Sequence, residues 1–512
     1  MLLGHSRGSY NNHCTVCANE SRILPCRFPA LPVATLSNVA EYHVENFGCR
    51  ASRSDGEAIA ADLRSRGLEP ALQPAAAHVV IVNTCSVTTE ADRQARAFVR
   101  RVRRQNPDTR VIVTGCYAQR APRELAALPE VDAVIGNSHK SLVADLAADY
   151  ASQSDAVPQG PSGPSAAVAH AFVPLATILH HDAFAHTELA ALPFAPDSRQ
   201  TRPNLKVQDG CANRCSFCII PSTRGPSRSV PLAACLANVR AFVDRGGQEL
   251  VLSGINLGRW GRDLQPPRHL EDLVDAILRQ TTLPRLRLSS IEPMDWSPGL
   301  LALYREFSTA SSPRSSATCD LFPRLARHAH LPLQSGSDVI LRRMYRRYRP
   351  WHYAERLAEI RALLPGASIG ADVMIGFPGE TDALFQESCD FIASQPFTYL
   401  HLFPFSARPG TPAWELHRQH PVPPLAVRER MAALRTLIAE KSRAFRSQFL
   451  SSTLSAVTIG ADNNDAPGSR TTEAVTDNFL KLTLEAAIPA NRLIAVRVTA
   501  LTAEGLRGAL VA

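Results

Sequence analysis

The sequence predicts an α/β protein in three parts. These are an N-terminal parallel sheet with helices on both faces, a central open barrel of six βα units, and a small C-terminal antiparallel β-barrel. Three observations carry that expectation. Strand-like apolar runs alternate with helical patterns from about residue 41 to 149, and again from about 205 to 406. A stretch rich in Ser, Pro, Gly and Ala, "ASQSDAVPQGPSGPSAAV" at 151–168, separates the two series. After a helical pattern near 424–449 the chain changes to short strands with turns.

In the first series the apolar runs are "EYHVENF", "HVVIVNTC", "RVIVTGC" and "VDAVIGN". Helices are expected over "DGEAIAADLRSRG", from about 90 to 105, near 122–128 and near 139–149. Four βα units of this kind argue a doubly wound sheet. In the second series the runs are "LKVQ", "ELVLSGIN", "LRLSSIEP", "HLPLQSG", "ASIGADVMIGFPG" and "YLHLFPFS", separated by helical patterns such as 230–245, 269–280, 298–307, 351–364 and 382–394. Six units are fewer than the eight of a closed barrel, so the barrel is expected to be open. The last runs, "SAVTI", "TTEAVTD", "FLKLTLEA", "LIAVRVTAL" and "GLRGALVA", read as a small β-barrel or sandwich. The expected organisation is an extension over 1–40, a first domain over 41–150, a linker over 151–200, the core over 201–440 and a final domain over 441–512. Ser-rich 308–323 is expected to be a loop insertion, with Cys319 incidental to it.

The 512 residues are 45% hydrophobic and carry a net charge of +8, with a pI near 9.0. That length allows several cores, and the charge is compatible with a polyanionic partner. Twelve cysteines are too sparse for a disulfide scaffold and sit in motifs, which fits reduced thiols. Residues 1–40, with Cys14, Cys17 and Cys26, show no periodicity and read as a disordered extension or as half of a zinc site. The opening "MLLGHSRGSYNNHC" lacks the apolar core of a signal peptide, and no uninterrupted apolar run is long enough to span a bilayer. A cytoplasmic protein with no membrane partner is expected.

The most informative stretch is "DGCANRCSFCIIPSTRG", which places Cys211, Cys215 and Cys218 on one loop at the carboxyl end of the first core strand. Active sites of αβ barrels are built at that end. Three thiolates can hold three irons of a [4Fe–4S] cube and leave the fourth open, whereas a zinc site would need a distant fourth ligand. The spacing, with Phe217 just before the last cysteine, resembles the radical S-adenosylmethionine (SAM) superfamily. The resemblance implies that SAM binds the open iron and is cleaved there to a 5′-deoxyadenosyl radical. It implies a SAM pocket at Phe217, at Gly246, Gly247 and Glu249 of "GGQEL", at Ser290 and Glu292 of "LSSIEP", and at Gln334, Arg346 and Asp372.

A second set of three lies in the first domain. Cys49, Cys85 and Cys116 each follow a predicted strand, and the carboxyl ends of parallel strands line one crevice. Otherwise they are three separately buried thiols. Two such trios, with a flavodoxin-like domain first, resemble the methylthiotransferase family, and the final barrel resembles that family's TRAM domain. The likeness covers roughly 41–512. It implies a second [4Fe–4S] cluster on Cys49, Cys85 and Cys116 that presents the sulfur to be inserted. "IIPSTRGPSRSV", "TCSVTTEADRQAR" and "LSGINLG" look most like the MtaB-type members, which act on threonylcarbamoyl-adenosine beside the tRNA anticodon. Ser52 and Arg53 depart from that type, where Asn-Gln is usual. Action on isopentenyl-adenosine, action on a ribosomal protein, and a non-catalytic iron–sulfur RNA-binding protein are the alternatives. The implied partners are the tRNA anticodon loop, a reductant such as a flavodoxin or ferredoxin, and a sulfur donor.

Two basic stretches bear on RNA. The helical run with Arg93, Arg96, Arg100, Arg101, Arg103 and Arg104 reads as a phosphate-binding face or a solvated one. "LRRMYRRYRPWHY" interleaves arginines with Tyr345, Tyr348 and Trp351, which can stack on splayed bases, although Arg346 can equally serve the SAM pocket. Cys235 and Cys389 lie in helical patterns and read as packing residues.

Overall fold

The computed structural model describes residues 39–86, 88–153, 176–181, 200–308, 322–460 and 471–511. Cys14, Cys17, Cys26, Cys319 and most of the expected linker lie outside these residues.

The first sheet is entirely parallel. Its strands are β1 (Glu41–Asn46), β2 (Glu69–Pro70), β3 (Val79–Thr84), β4 (Arg110–Gly115), β5 (Ala133–Gly136) and β6 (Thr177–Leu179), in the order β2-β1-β3-β4-β5-β6. Val79 to Val82 and Val111 to Val113 are buried, as expected of central strands covered on both faces. The edge strand β6 falls inside the stretch expected to be a linker and pairs with β5 through Ala133 and Thr177. Three residues, "TIL", are too short a run to announce a strand; the neighbouring edge recruits them. The first helix, Arg50–Ser65, starts immediately after Cys49, earlier than the periodicity placed it.

The core strands are β7 (Asn204–Asp209), β8 (Arg228–Ser229), β9 (Glu249–Gly254), β10 (Arg285–Leu288), β11 (His328–His330), β12 (Ser368–Ile375) and β13 (Tyr399–Pro404). They form two sheets, β10-β9-β7-β8 and β11-β12-β13, and among the described residues a bridge between Leu286 of β10 and Leu325, just before β11, joins them. Five of the six predicted runs coincide with strands; the fourth, "HLPLQSG", shares only His330 with β11, which lies upstream of Pro332, and β8 is a short antiparallel addition. One apolar cluster runs through both sheets and includes Val207, Leu250, Leu252, Leu288, Leu333 and Ile375.

A long helix, Pro424–Ser447, leads to the final domain. There β14 (Thr453–Thr458), β15 (Thr472–Thr476), β16 (Lys481–Leu484), β17 (Leu493–Leu501) and β18 (Leu506–Leu510) close in the order β14-β15-β16-β18-β17. The barrel is antiparallel except between β16 and β18.

This last domain closes the floor of the core. Arg287 donates to the carbonyls of Thr476 at 3.0 Å and Asp477 at 3.1 Å, and Arg327 Nε lies 2.5 Å from the Asp477 carboxylate. The Phe479 ring, on a residue with φ of 64°, packs at a tilt 4.5 Å from His328 and 5.5 Å from Tyr399. No described helix is long and apolar enough to cross a membrane.

Candidate active site

Both cysteine trios sit at the carboxyl ends of parallel strands. In the first domain Asn46 pairs with Asn83 and Thr84 with Gly115, so Cys49, Cys85 and Cys116 emerge from three adjacent strands, β1, β3 and β4. The local backbone is shaped to let them converge. Gly48 has φ of 107°, and a Cβ there would meet Cys85 Cβ at 2.1 Å. Cys85 and Cys116 are buried and Cys49 is exposed. A hydrogen bond with Cys85, together with Arg224 and Ser52, holds the Cys49 thiol well below its ordinary range despite the opposing desolvation.

The second trio lies on the loop after β7. Gly210, with φ of 73°, turns the chain where a Cβ would meet the Pro226 carbonyl oxygen at 1.9 Å. Donors point at the sulfurs. The Asn213 amide is 3.4 Å from Cys211 Sγ, Asn256 Nδ2 is 3.6 Å from the same atom, and Arg346 Nη1 is 3.3 Å from Cys215 Sγ. Burial pushes the Cys218 thiol up to about 12. A coordinated cation would remove that penalty, so a metal cluster fits this donor set.

Arg346 also forms an ion pair with Glu292 and donates to Tyr348 Oη at 3.0 Å. Burial works against its charge, but Tyr348, Glu292 and Cys215 outweigh burial and raise it well above the ordinary arginine range. Arg346, Glu292, Arg259 and Cys215 line one pocket with the exposed Tyr345. Gln334 has φ of 67°, and its side-chain oxygen is buried without a hydrogen-bond partner. An orphan acceptor of this kind fits a bound polar ligand. Ser290 Oγ lies 2.6 Å from His330 Nδ1, and Asp372 faces His401. Phe217 packs against the apolar cluster that includes Ile340, Met344 and Met374, which anchors the loop.

Gly246, Gly247 and Glu249 fall outside this region. They lie at the amino end of β9, whereas the cysteine loop follows the carboxyl end of its parallel neighbour β7. Glu249 is fully buried between Arg202, Arg287 and Arg285. Burial would raise its pKa, but the three guanidiniums outweigh burial and hold it far below the usual carboxylate range. Gly246 accepts from Asn491 Nδ2 at 3.0 Å, a contact with the final domain. Asn256 is the residue that sequence reasoning passed over: it follows β9 at the correct end, and its side chain reaches Cys211. Its signal was the "GIN" after the strand rather than the "GGQE" before it.

The two trios are linked by the segment after Cys218. Asn137 Nδ2 lies 3.5 Å from Cys116 Sγ and donates to the Thr223 carbonyl at 2.8 Å. Arg224 Nη1 is 3.0 Å from Asp209, and its Nη2 is 3.0 Å from Asp55 of the first domain. Lys140 and Lys206 complete this buried network. A second contact between the first domain and the core is made by Arg408 of "SARPGT", 2.8 Å from Asp92, which also accepts from Ser86 beside Cys85.

Among the helix arginines, Arg93 pairs with Glu90, Arg96 with Glu124 and Arg103 with Asp132. Arg100, Arg101 and Arg104 face solvent. In the second basic stretch Tyr348 is buried, and Tyr345 and Trp351 are exposed. Cys235 is buried in the core and Cys389 packs against it, as expected.

Comparison with known proteins agrees with this architecture. Residues 41–136 match the family described as "Uncharacterized protein family UPF0004", and residues 205–392 match the Radical SAM superfamily. The chain is 32% identical to a threonylcarbamoyladenosine tRNA methylthiotransferase MtaB from Bacillus subtilis, over 85% of this chain and 88% of the relative. It is 30% identical to the MtaB of Aquifex aeolicus, over 89% and 99%. A tRNA-2-methylthio-N(6)-dimethylallyladenosine synthase from Chloroflexus aurantiacus is 31% identical, over 91% of each chain. Among solved structures, the radical SAM methyltransferase TsrM from Kitasatospora setae shares the fold, with a TM-score of 0.51 and 14% identity over 74% of this chain and 76% of that one.

Proposed function

The chain belongs to the MtaB family of threonylcarbamoyladenosine tRNA methylthiotransferases, and from that premise we propose how its residues divide the work. The reaction adds a methylthio group to the adenine of N6-threonylcarbamoyladenosine in tRNA, by radical SAM chemistry. Cys211, Cys215 and Cys218 hold one [4Fe–4S] cluster, and Cys49, Cys85 and Cys116 hold the other. Bound there, the clusters and SAM supply the radical that opens the adenine C–H bond, and the sulfur and methyl group that replace the hydrogen.

The chain's own groups prepare those sites. The Asn213 amide, Asn256 and Arg346 donate toward the sulfurs of the barrel trio, which favours the thiolate forms. Glu292 and Arg346 offer opposite charges to the amino-acid portion of SAM, with Gln334 an additional acceptor. Arg224 sets positive charge beside Cys49 and Cys116. The exposed Tyr345 and Trp351 are suited to stack on bases of the anticodon loop. A flavodoxin- or ferredoxin-type reductant and a sulfur donor complete the system, in the cytoplasm where tRNA is modified.

One observation carries the division of labour: the segment after Cys218 reaches the neighbours of the first trio, with Thr223 accepting from Asn137 and Arg224 donating to Ser52. The test is mass spectrometry of tRNA nucleosides from a host stripped of its own methylthiotransferases and expressing this chain. The expected product is 2-methylthio-N6-threonylcarbamoyladenosine. A methylthio group on isopentenyladenosine instead would overturn the substrate, and no product at normal iron content would overturn the reaction.

A further inference from the structure

The wall of the core barrel carries a side-chain cluster that neither cysteine trio uses. Strand register pairs Asp372 with His401, and His330 with Gly370, two residues before Asp372 and so on the same face of the sheet. Three adjacent strands therefore present two imidazoles and a carboxylate at one place. His401 Nδ1 is 3.2 Å from Asp372 Oδ1, and His330 Nε2 is 3.5 Å from the same oxygen. One potential ligand atom from each of the three lies within 4.8 Å of the other two. The Tyr399 ring backs both histidines, 5.8 Å from His330 and 5.3 Å from His401.

The buried member of this cluster lacks a partner where an ion would sit. His330 is 5% exposed, and its Nε2 makes no hydrogen bond. Buried polar atoms are ordinarily satisfied, so a ring nitrogen orphaned beside a carboxylate and a second imidazole points to a bound cation. The other ring nitrogen is anchored: Nδ1 lies 2.6 Å from Ser290 Oγ. With Nδ1–H donating to that hydroxyl, the Nε2 lone pair faces Asp372, and an outer partner of this kind is what orients metal-binding histidines. Burial also keeps the imidazole neutral, with its pKa down to about 4, which is the form that ligates.

We propose that His330, Asp372 and His401 bind one zinc ion through Nε2, Oδ1 and Nδ1, with a fourth position left for water. Zinc bonds to nitrogen and oxygen run about 2.0–2.2 Å, which sets neighbouring ligand atoms of a tetrahedron roughly 3.3–3.6 Å apart. The separations of 3.2 and 3.5 Å fit that spacing, and a small turn of the His401 ring, whose side chain is 53% exposed, closes the set around one ion. Magnesium and calcium prefer all-oxygen ligands, whereas paired imidazoles favour zinc. Three protein ligands and one open position are the pattern of a zinc that meets a reactant rather than one that only staples a fold. The site uses no cysteine, and it does not depend on which adenosine the chain modifies.

The test uses the full-length chain with both clusters reconstituted without oxygen, then equilibrated with micromolar free zinc and desalted. Zinc outranks ferrous iron for such ligands, so iron left from reconstitution does not block the site. Elemental analysis is expected to find about one zinc per chain with the iron content unchanged, and zinc-edge X-ray absorption to show nitrogen and oxygen neighbours at about 2.0–2.2 Å with no sulfur at about 2.3 Å. Asp372→Asn and His401→Gln should each weaken zinc binding by about 100-fold or more, and Ser290→Ala by the roughly 10–100-fold that loss of an outer partner costs. All variants are first checked for wild-type circular dichroism and iron content, and the half-exposed position of His401 makes its replacement the one that spares the fold. Absence of zinc from the wild type overturns the site, as does zinc held by sulfur. Undiminished binding by folded His401→Gln overturns it as well. The readout is zinc rather than product, so failure of this site leaves the tRNA reaction standing.

Discussion

Nη2 of Arg224 lies 3.0 Å from Oδ2 of Asp55, and both side chains are 1% exposed. One follows the barrel cysteines and the other follows Cys49, so this pair ties the two trios together across a domain boundary. Three cations, Arg224, Lys140 and Lys206, share two carboxylates, Asp55 and Asp209. Asp55→Ala would leave the cations facing Asp209 alone. Removing one partner of a buried network costs about 3–5 kcal/mol. The expected outcome is a lower urea midpoint and reduced iron loading. A change in stability below about 1 kcal/mol would show that the network is not a structural tie.

The two trios should be separable. Cys211→Ala is expected to abolish SAM cleavage and to lower the iron content from about eight to about four atoms per chain. Cys85→Ala should lose a similar amount of iron yet still cleave SAM, with no methylthio product. SAM cleavage at the wild-type rate by Cys211→Ala would contradict its role.

Gly48→Ala tests the geometry of the first trio without touching a sulfur. The added Cβ would overlap Cys85, and the φ of 107° disfavours any side chain. Iron content should fall toward that of Cys85→Ala, while SAM cleavage persists. Full iron loading would mean that the backbone at Gly48 can move aside.

Glu249→Gln separates a structural role from a ligand-binding one. The substitution leaves Arg202, Arg285 and Arg287 without their carboxylate, at about 3–5 kcal/mol, and SAM affinity should stay within about twofold. The pH dependence follows from the direction of the shift. The folded-state pKa of Glu249 lies below its unfolded value of about 4.3. Its stabilisation is therefore complete above that value and disappears as the pH falls through the folded pKa. The stability gap between wild type and variant should shrink from about pH 5 downward. A gap independent of pH would argue against the ionised pairing.

Much of the site was legible because strand ends leave a mark in sequence. Cys85 and Cys116 each terminate an apolar run, and parallel sheets gather such ends at one edge. The spacing of Cys211, Cys215 and Cys218 needs no tertiary information at all. Glu249 was misplaced because a glycine pair and a carboxylate near a strand do not say which end of that strand faces the ligand. Only the pairing of β7 with β9 settles it. The His330–Asp372–His401 wall was invisible for a related reason: its members come from three separate strands, and register alone brings them together. Strand β6 was hidden by its length.

The contacts at the barrel floor bear on how parts of such proteins can be exchanged. The final domain supplies Asp477, Phe479 and Asn491 to the underside of the core, and the core answers with Arg287, Arg327 and the Gly246 carbonyl. A chimaera that borrows this domain from a relative to alter RNA preference must therefore carry matching residues on the core side of the seam. Transplanted alone, it would leave cationic side chains facing the wrong surface, and the graft would fail as a fold before its RNA preference could be read.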